Sequence, residues 1–227
     1  LGKVLAATPN LRHSMVLASK GSIIPGVPYV ANAAYLSAAV DASLARLQSG
    51  HIDLYQIHRP DMFTHPQETA AALDGLVQAG KIGMVGVSNY TRAQTDALRQ
   101  FLKAPLVSLQ SEYSLSHLDP LRDGTLDDCM RQDTAFLAWS PLGGGALLGS
   151  DVSPALSRIL DQLAEREATD RAGIALAFVL AHPARPVALL GSQSVARMKA
   201  AQKATQLTLT RSDIYALIEA AEGVPLP

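Results

Sequence analysis

Residues 52–58 read Ile-Asp-Leu-Tyr-Gln-Ile-His, an apolar, β-branched and aromatic run that closes on a polar side chain. Such a run predicts a β-strand. Side chains alternate across a strand, so Leu54, Gln56 and His58 share one face. The next segment, Pro66–Ala79, has helical patterning, and Gly80-Lys81 stops it as a helix C-cap does. A second apolar run, Ile82–Val87, follows at once. Strand, helix and strand in this order predict a parallel pair joined by a crossover helix.

The same unit recurs in both directions. Upstream stand the strand Met15–Ser19 and the helix Tyr35–Gln48. Downstream come Thr91–Leu102 (helix), Leu106–Leu109 (strand), Leu121–Arg131 (helix), Ala135–Trp139 (strand), a long helix over Pro154–Leu180, and the strand Val187–Leu190. Ser194–Thr205 and Arg211–Glu222 close the chain as helices, and Ser88-Asn89-Tyr90-Thr91 offers cap residues ahead of the helix after the third strand. Leu1–Leu5 reads as the middle of a helix. Strict alternation predicts an α/β fold, and with no linker or repeat in view residues 1–227 read as one domain.

Polar residues at the strand ends choose between an open sheet and a barrel. Lys20 follows the first run, His58 the second, Ser88 and Asn89 the third, Gln110 the fourth, Ser140 the fifth and Ser192 the sixth. A barrel gathers the C-terminal ends of all its strands around one mouth, whereas an open sheet scatters them along an edge. The reading is a (β/α)8 TIM barrel. Six strands do not close it, so about six of its eight strand–helix units are expected here, with the first two preceding Leu1.

Composition sets outer limits. Hydrophobic residues make up 48% of the chain and charged ones 17%, enough apolar material for a sizeable core. A net charge of -1 with scattered Lys and Arg argues against nucleic acid or an acidic membrane surface as partner. The longest apolar run, Ile174–Ala181, falls far short of the about 20 residues of a membrane span. Cys129 is the only cysteine, which excludes an internal disulfide framework and fits a reducing, cytoplasmic setting. The histidines other than His58 have neither i, i+4 pairing nor a neighbouring cysteine, so no metal site is expected.

Six ordered segments resemble the aldo-keto reductases. Met15-Val16-Leu17-Ala18-Ser19-Lys20 is similar to the family's third strand, and Ile52–Ile57 with His58-Arg59-Pro60-Asp61 to its fourth. Gly80-Lys81-Ile82-Gly83 leading to Val85-Gly86-Val87-Ser88-Asn89 resembles the fifth, and Gln110 with Glu112-Tyr113-Ser114 the sixth. Ala138-Trp139-Ser140-Pro141-Leu142-Gly143-Gly144-Gly145 is similar to the seventh. Leu190-Gly191-Ser192, with Arg197 five residues on, resembles the eighth strand and its adenine-side loop. Each piece alone has a bland reading: Lys20 as a strand-end lysine reaching water, His58 and Ser88-Asn89 as caps, Trp139 as core. Their joint order carries the resemblance.

The resemblance implies an oxidoreductase that uses NADPH (NADP+ as its oxidised form) to reduce the carbonyl of small aldehydes or ketones to alcohols. Lys20 matches the lysine that lowers the pKa of a catalytic tyrosine, and His58 the histidine that orients the carbonyl. That tyrosine and its partner aspartate belong to the family's second strand, expected before Leu1 as Asp-(four residues)-Tyr-Gly; neither Tyr29 nor Tyr35 takes the role. Ser88, Asn89 and Gln110 match the residues that hold the nicotinamide carboxamide, and Trp139 the ring that stacks on the nicotinamide. Ser140, Leu142, Gly143, Gly144 and Gly145 form a glycine-rich loop whose amides are expected to approach the pyrophosphate. Gly191, Ser192, Gln193 and Arg197 match the adenine-side residues, with Ser192 and Arg197 expected at the 2′-phosphate.

Family members often carry Lys where Gly191 stands and Glu-Asn where Ala200-Ala201 stand, which shifts contacts toward Gln193, Ser194 and Lys199. Two rival readings remain on the same residues: a lyase with Lys20 as a Schiff base, and an NADPH-binding scaffold or redox sensor without turnover. Oligomeric state is not legible in the sequence.

Overall fold

The computed structural model describes residues 1–149 and 152–226. The chain forms two compact units, Leu1–Gln110 and the residues from Ser111 onward. In the first unit lie helices α1 (Gly2–Ala7), α2 (Pro9–Arg12), α3 (Ala33–Leu47), α4 (Pro66–Gln78) and α5 (Arg92–Arg99). Its strands are β1 (Ala18–Gly21), β2 (Ile52–Ile57), β3 (Ile82–Ser88) and the greater part of β4 (Leu106–Glu112). The second unit carries α6 (Thr125–Arg131), β5 (Ala135–Trp139), α7 (Pro154–Arg166), α8 (Arg171–Leu180), β6 (Val187–Ala188), α9 (Val195–Gln202) and α10 (Arg211–Glu222).

In the first unit β1, β2, β3 and β4 pair in sequence order, all parallel. Parallel strands covered on both faces are apolar throughout, and Leu17, Ile52, Tyr55, Ile57, Ile82, Val85, Val87 and Leu109 are buried accordingly. The register puts Lys20 beside Gln56, Gln56 beside Gly86, and Gly86 beside Ser108, with Ser88 beside Gln110 one level on. Helices α3 and α4 contribute Leu36, Val40, Ala70 and Leu73 to the same core. In the second unit β5 and β6 are parallel neighbours, and Tyr113 packs against Phe136 and Phe178 with ring centroids 6.1 and 5.8 Å apart.

Caps explain where helices start. Asn32 accepts from the Tyr35 N–H at 2.9 Å, and Thr91 with Gln94 forms a reciprocal capping box ahead of α5. Pro66 opens α4, where its missing N–H costs nothing.

Several expected boundaries are corrected. The single helix expected over Pro154–Leu180 is two, because Ala168 turns left-handed (φ +49°) and Asp170 starts α8 by accepting from the Gly173 N–H at 2.8 Å. Leu121–Arg131 is also divided: a 3-10 turn spans Asp119–Leu121, and α6 begins only after Gly124 (φ +82°). β1 starts later than Met15, because the Leu17 N–H donates to the Asp53 carboxylate at 2.6 Å. Lys20 therefore lies inside its strand. β6 stops at Ala188, although the Leu189 N–H still donates to the Ala138 carbonyl at 2.9 Å.

Candidate functional site

The strand ends of the first unit bring five of the singled-out side chains into one cluster. Lys20 is half-buried, and its Nζ donates to Gln110 Oε1 at 2.9 Å. Burial lowers the Lys20 pKa, and the Arg59 guanidinium lowers it further by repulsion. His58 follows β2, its N–H donating to the Gly21 carbonyl at 2.7 Å. Its pKa is lowered by burial first, then by the charges of Lys20 and Arg59. Below the ordinary histidine range the ring is neutral near pH 7, and one of its nitrogens then carries a proton to donate.

Ser88 is buried at the end of β3, and Asn89 beyond it turns left-handed at φ +57°, a conformation Asn tolerates better than most residues. That turn lets Asn89 Nδ2 donate to Ser88 Oγ at 2.8 Å and to the His58 carbonyl at 3.4 Å. The Asn89 N–H donates to the Gln110 carbonyl at 2.8 Å. Four strands thus meet in a polar patch over an apolar core.

Sequence reading passed over the support beneath this patch. Gln56 and Ser108 are 1% and 2% exposed, and Gln56 Nε2 donates to Ser108 Oγ at 3.4 Å. Gly86 lies between them, and a Cβ there would overlap Ser108 Oγ. A glutamine beside Leu54 on the otherwise apolar His58 face of the strand was the available signal. Asp61 fastens the loop that follows His58. It accepts from the Ala31 N–H at 2.9 Å, the Thr64 hydroxyl at 2.6 Å and the Phe63 N–H at 3.0 Å. Burial pushes its pKa up, but these hydrogen bonds outweigh burial and hold the carboxyl below its usual range. The loop they fasten presents Phe63 97% exposed.

The second unit holds a cavity of about 780 Å³ lined by Trp139, Ser140, Leu142, Gly144, Gly191, Ser192 and Arg197, together with Asp170, Ala200 and Ala201. Trp139 ends β5, and Ser140 turns left-handed (φ +48°) to leave the strand. Gly143, Gly144 and Gly145 all have positive φ, which a chain of L side chains rarely adopts. At Gly144 and Gly145 an added Cβ would meet nothing within 4 Å, so steric room is not the reason for glycine; backbone conformation is. Gly143 and Gln193 do not line this cavity.

Ser192 Oγ accepts from the Ser194 N–H at 3.1 Å, and Ser194 caps α9 by accepting from the Arg197 N–H at 3.4 Å. The Arg197 side chain is exposed on the first turn of α9, with no ion pair to a described residue. A cavity with left-handed glycines at one side and a helix start with a guanidinium at another suits a long phosphorylated ligand. Among the described residues no group of three or more His, Cys, Asp or Glu could hold a metal ion, and no helix is long and apolar enough to cross a membrane.

A family model described as Aldo/keto reductase family matches residues 1–222. A 6-dehydroglucose reductase of Novosphingobium aromaticivorans is 44% identical over 100% of the chain and 75% of its own length. A 6-dehydroglucose reductase of Agrobacterium fabrum is 32% identical over 98% of the chain and 78% of its own length. Oxidoreductase YdhF of Escherichia coli is 34% identical over 100% of the chain and 78% of its own length. A crystal structure of a thermostable aldo-keto reductase with the inhibitor epalrestat superposes with a TM-score of 0.86 at 27% identity, covering 96% of this chain and 75% of that one.

Proposed function

The chain belongs to the aldo-keto reductase family and has its (β/α)8-barrel fold, with about six of the eight strand–helix units; from that premise we propose that it reduces small aldehydes or ketones to alcohols with NADPH, in the cytoplasm. Family membership makes it an oxidoreductase acting on a carbonyl substrate. The cofactor, the roles of individual residues and the substrate are the proposal, as is the reading of residues 1–227 as one domain. The single observation that carries it is the Lys20–Gln110 hydrogen bond, with His58 in electrostatic range of Lys20. It supports a site where a cation and a neutral hydrogen-bond donor act on one small group.

The residues of the second unit fit a nicotinamide dinucleotide. A cavity of about 780 Å³ falls within the roughly 300–1,000 Å³ of ligand pockets. Trp139 would hold the ring by stacking, the Ser140–Gly145 loop the pyrophosphate, and Ser192 with Arg197 the 2′-phosphate. Ser88, Asn89 and Gln110 supply the donors and acceptors a carboxamide needs. When bound, NADPH supplies hydride to the carbonyl carbon.

The protein's own residues manage the oxygen. As negative charge grows there, the neutral His58 ring donates a hydrogen bond to it, and the Lys20 ammonium holds a positive potential nearby. The proton the oxygen needs comes, in this proposal, from a tyrosine on a segment preceding Leu1, with Lys20 lowering its pKa. Burial of Lys20 strengthens that effect, since a charge half withdrawn from water acts through a lower dielectric.

Two relatives named 6-dehydroglucose reductases point to a polyhydroxylated aldehyde, a sugar oxidised at its primary alcohol. Steady-state reduction of a panel of sugar aldehydes, aliphatic aldehydes and ketones by the intact protein with NADPH tests this. Turnover of the sugar aldehyde with a kcat/KM above the others is expected. Tight NADPH binding without consumption across the panel would contradict the proposal and favour a scaffold or sensor.

A further inference from the structure

We infer that Ser22 is a positioning residue for the Lys20–His58 pair: its hydroxyl clamps the backbone of Arg59 and so fixes where the two strand ends stand relative to each other. This rests on the proposed roles of Lys20 and His58. Ser22 lies two residues beyond Lys20, and Arg59 is the residue after His58.

Every hydrogen-bonding group of Ser22 is engaged. Its Oγ donates to the Arg59 carbonyl at 2.8 Å and accepts from the Arg59 N–H at 3.1 Å. Its backbone N–H donates to the Tyr35 hydroxyl on α3 at 3.1 Å, and its carbonyl accepts from the Val30 N–H at 3.0 Å. The last backbone rung between the two strand ends is the His58 N–H to the Gly21 carbonyl at 2.7 Å. Ser22 Oγ adds the next rung by occupying both the donor and the acceptor of Arg59. The pairing thus continues past the ends of β1 and β2, flanking Lys20 and His58 on the distal side.

Backbone conformation argues that the hydroxyl is the reason for serine here. Ser22 is 0% exposed and sits at φ +92°, in the left-handed region that glycine adopts without strain. A glycine would be easier on the backbone and would lose only the clamp. A buried, strained serine with both hydroxyl functions bonded to one residue is the arrangement expected if holding Arg59 matters.

The experiment compares Ser22→Gly and Ser22→Ala with the wild type in the intact protein, alongside Lys20→Met and His58→Ala. Ser22→Gly relieves the backbone, so its thermal midpoint separates a positioning effect from a folding defect. A site displaced by a fraction of an ångström to 1 Å loses on the order of 10- to 100-fold in rate. The expected result is a loss of kcat in that range in both Ser22 variants, with NADPH affinity and the Ser22→Gly melting temperature near wild type. NMR titration of the His58 ring gives a readout that folding alone does not move. Burial lowers its pKa first, and the charges of Lys20 and Arg59 lower it further; freeing Arg59 should admit water and move that charge, so the pKa should rise toward the ordinary value in Ser22→Gly.

Unchanged kcat and His58 titration in a folded Ser22→Gly would overturn the clamp, provided Lys20→Met and His58→Ala are inactive. Full activity in Lys20→Met and His58→Ala would instead overturn the assigned roles on which the clamp depends.

Discussion

Lys20 Nζ donates to Gln110 Oε1 at 2.9 Å across two strands that are not neighbours. The bond ties the cation proposed to act on the reacting oxygen to an amide proposed to hold the cofactor. The two roles should separate on mutation. Lys20→Met is expected to cut turnover by about 10²–10⁴-fold, as loss of acid–base assistance does, with cofactor affinity nearly unchanged. Gln110→Leu should do the reverse, weakening NADPH binding about 3- to 10-fold for one neutral hydrogen bond while retaining most turnover. Single-turnover kinetics with fluorescence titration of NADPH checks both.

The lowered pKa of His58 has a consequence for stability. In the folded protein the ring releases its proton at a lower pH than in the unfolded chain, where the value is about 6.5. Between these two values the unfolded state binds more protons, so stability rises with pH through that window and levels off above it. As pH falls through the folded-state pKa, this contribution is lost. Urea unfolding at several pH values should show a steeper rise in wild type than in His58→Gln, where the lowered pKa of half-buried His182 still contributes. An identical pH dependence in both proteins would contradict the assignment.

Tyr55 and Gly21 predict a coupled pair. Tyr55 is fully buried, its hydroxyl has no hydrogen-bond partner among the described residues, and a Cβ on Gly21 would overlap that hydroxyl. Tyr55→Phe removes an unsatisfied buried group and should be neutral or stabilising by about 1 kcal/mol. Gly21→Ala should destabilise by about 1–3 kcal/mol as an overpacked site. The double variant should recover part of that loss, giving a coupling energy of about 0.5–3 kcal/mol in a double-mutant cycle. Additive effects would show that the two groups do not meet.

Much of this architecture was legible in the sequence because it rests on local pattern. Ile52–Ile57 and Ala135–Trp139 are strands over the residues their apolar runs mark, and Arg211–Glu222 is a helix over its full pattern. Lys20, His58, Ser88, Asn89 and Gln110 stood at or near strand ends, which parallel pairing then brings side by side. What escaped depends on partners distant in the chain. Ser22 looks like a loop serine until Arg59, 37 residues on, supplies both of its hydroxyl partners. Gln56 looks like a polar interruption until Ser108 faces it. The long helix over Pro154–Leu180 kept its periodicity through the break, and only the capping of Gly173 by Asp170 decided it.

Arg197 is proposed to read the 2′-phosphate of the cofactor. Exposed on the first turn of α9 beside Ser192 and Ser194, it can grip a phosphate through two parallel hydrogen bonds, which a ribose hydroxyl cannot match. Arg197→Ala should weaken NADPH binding by roughly one to two orders of magnitude and leave NADH binding nearly unchanged. Gly191 supplies no second positive charge, so the preference should rest on this one side chain. Equal losses for the two cofactors would mean that Arg197 does not read the 2′-phosphate.

The cluster around Lys20 and His58 is proposed to act on the carbonyl oxygen. The most direct test of that role preloads the intact protein with NADPH, adds the aldehyde reduced best in the panel, and follows alcohol formation in a single turnover for wild type and His58→Ala. One alcohol per bound NADPH is expected in wild type, and a rate lower by about 10²–10³-fold in His58→Ala, the loss of one donor to a developing oxyanion. NADPH affinity should stay within about threefold, since the partner of His58 is the substrate. An equal rate in the two proteins would contradict a role for His58 at the oxygen, as would a loss that tracks weakened NADPH binding alone.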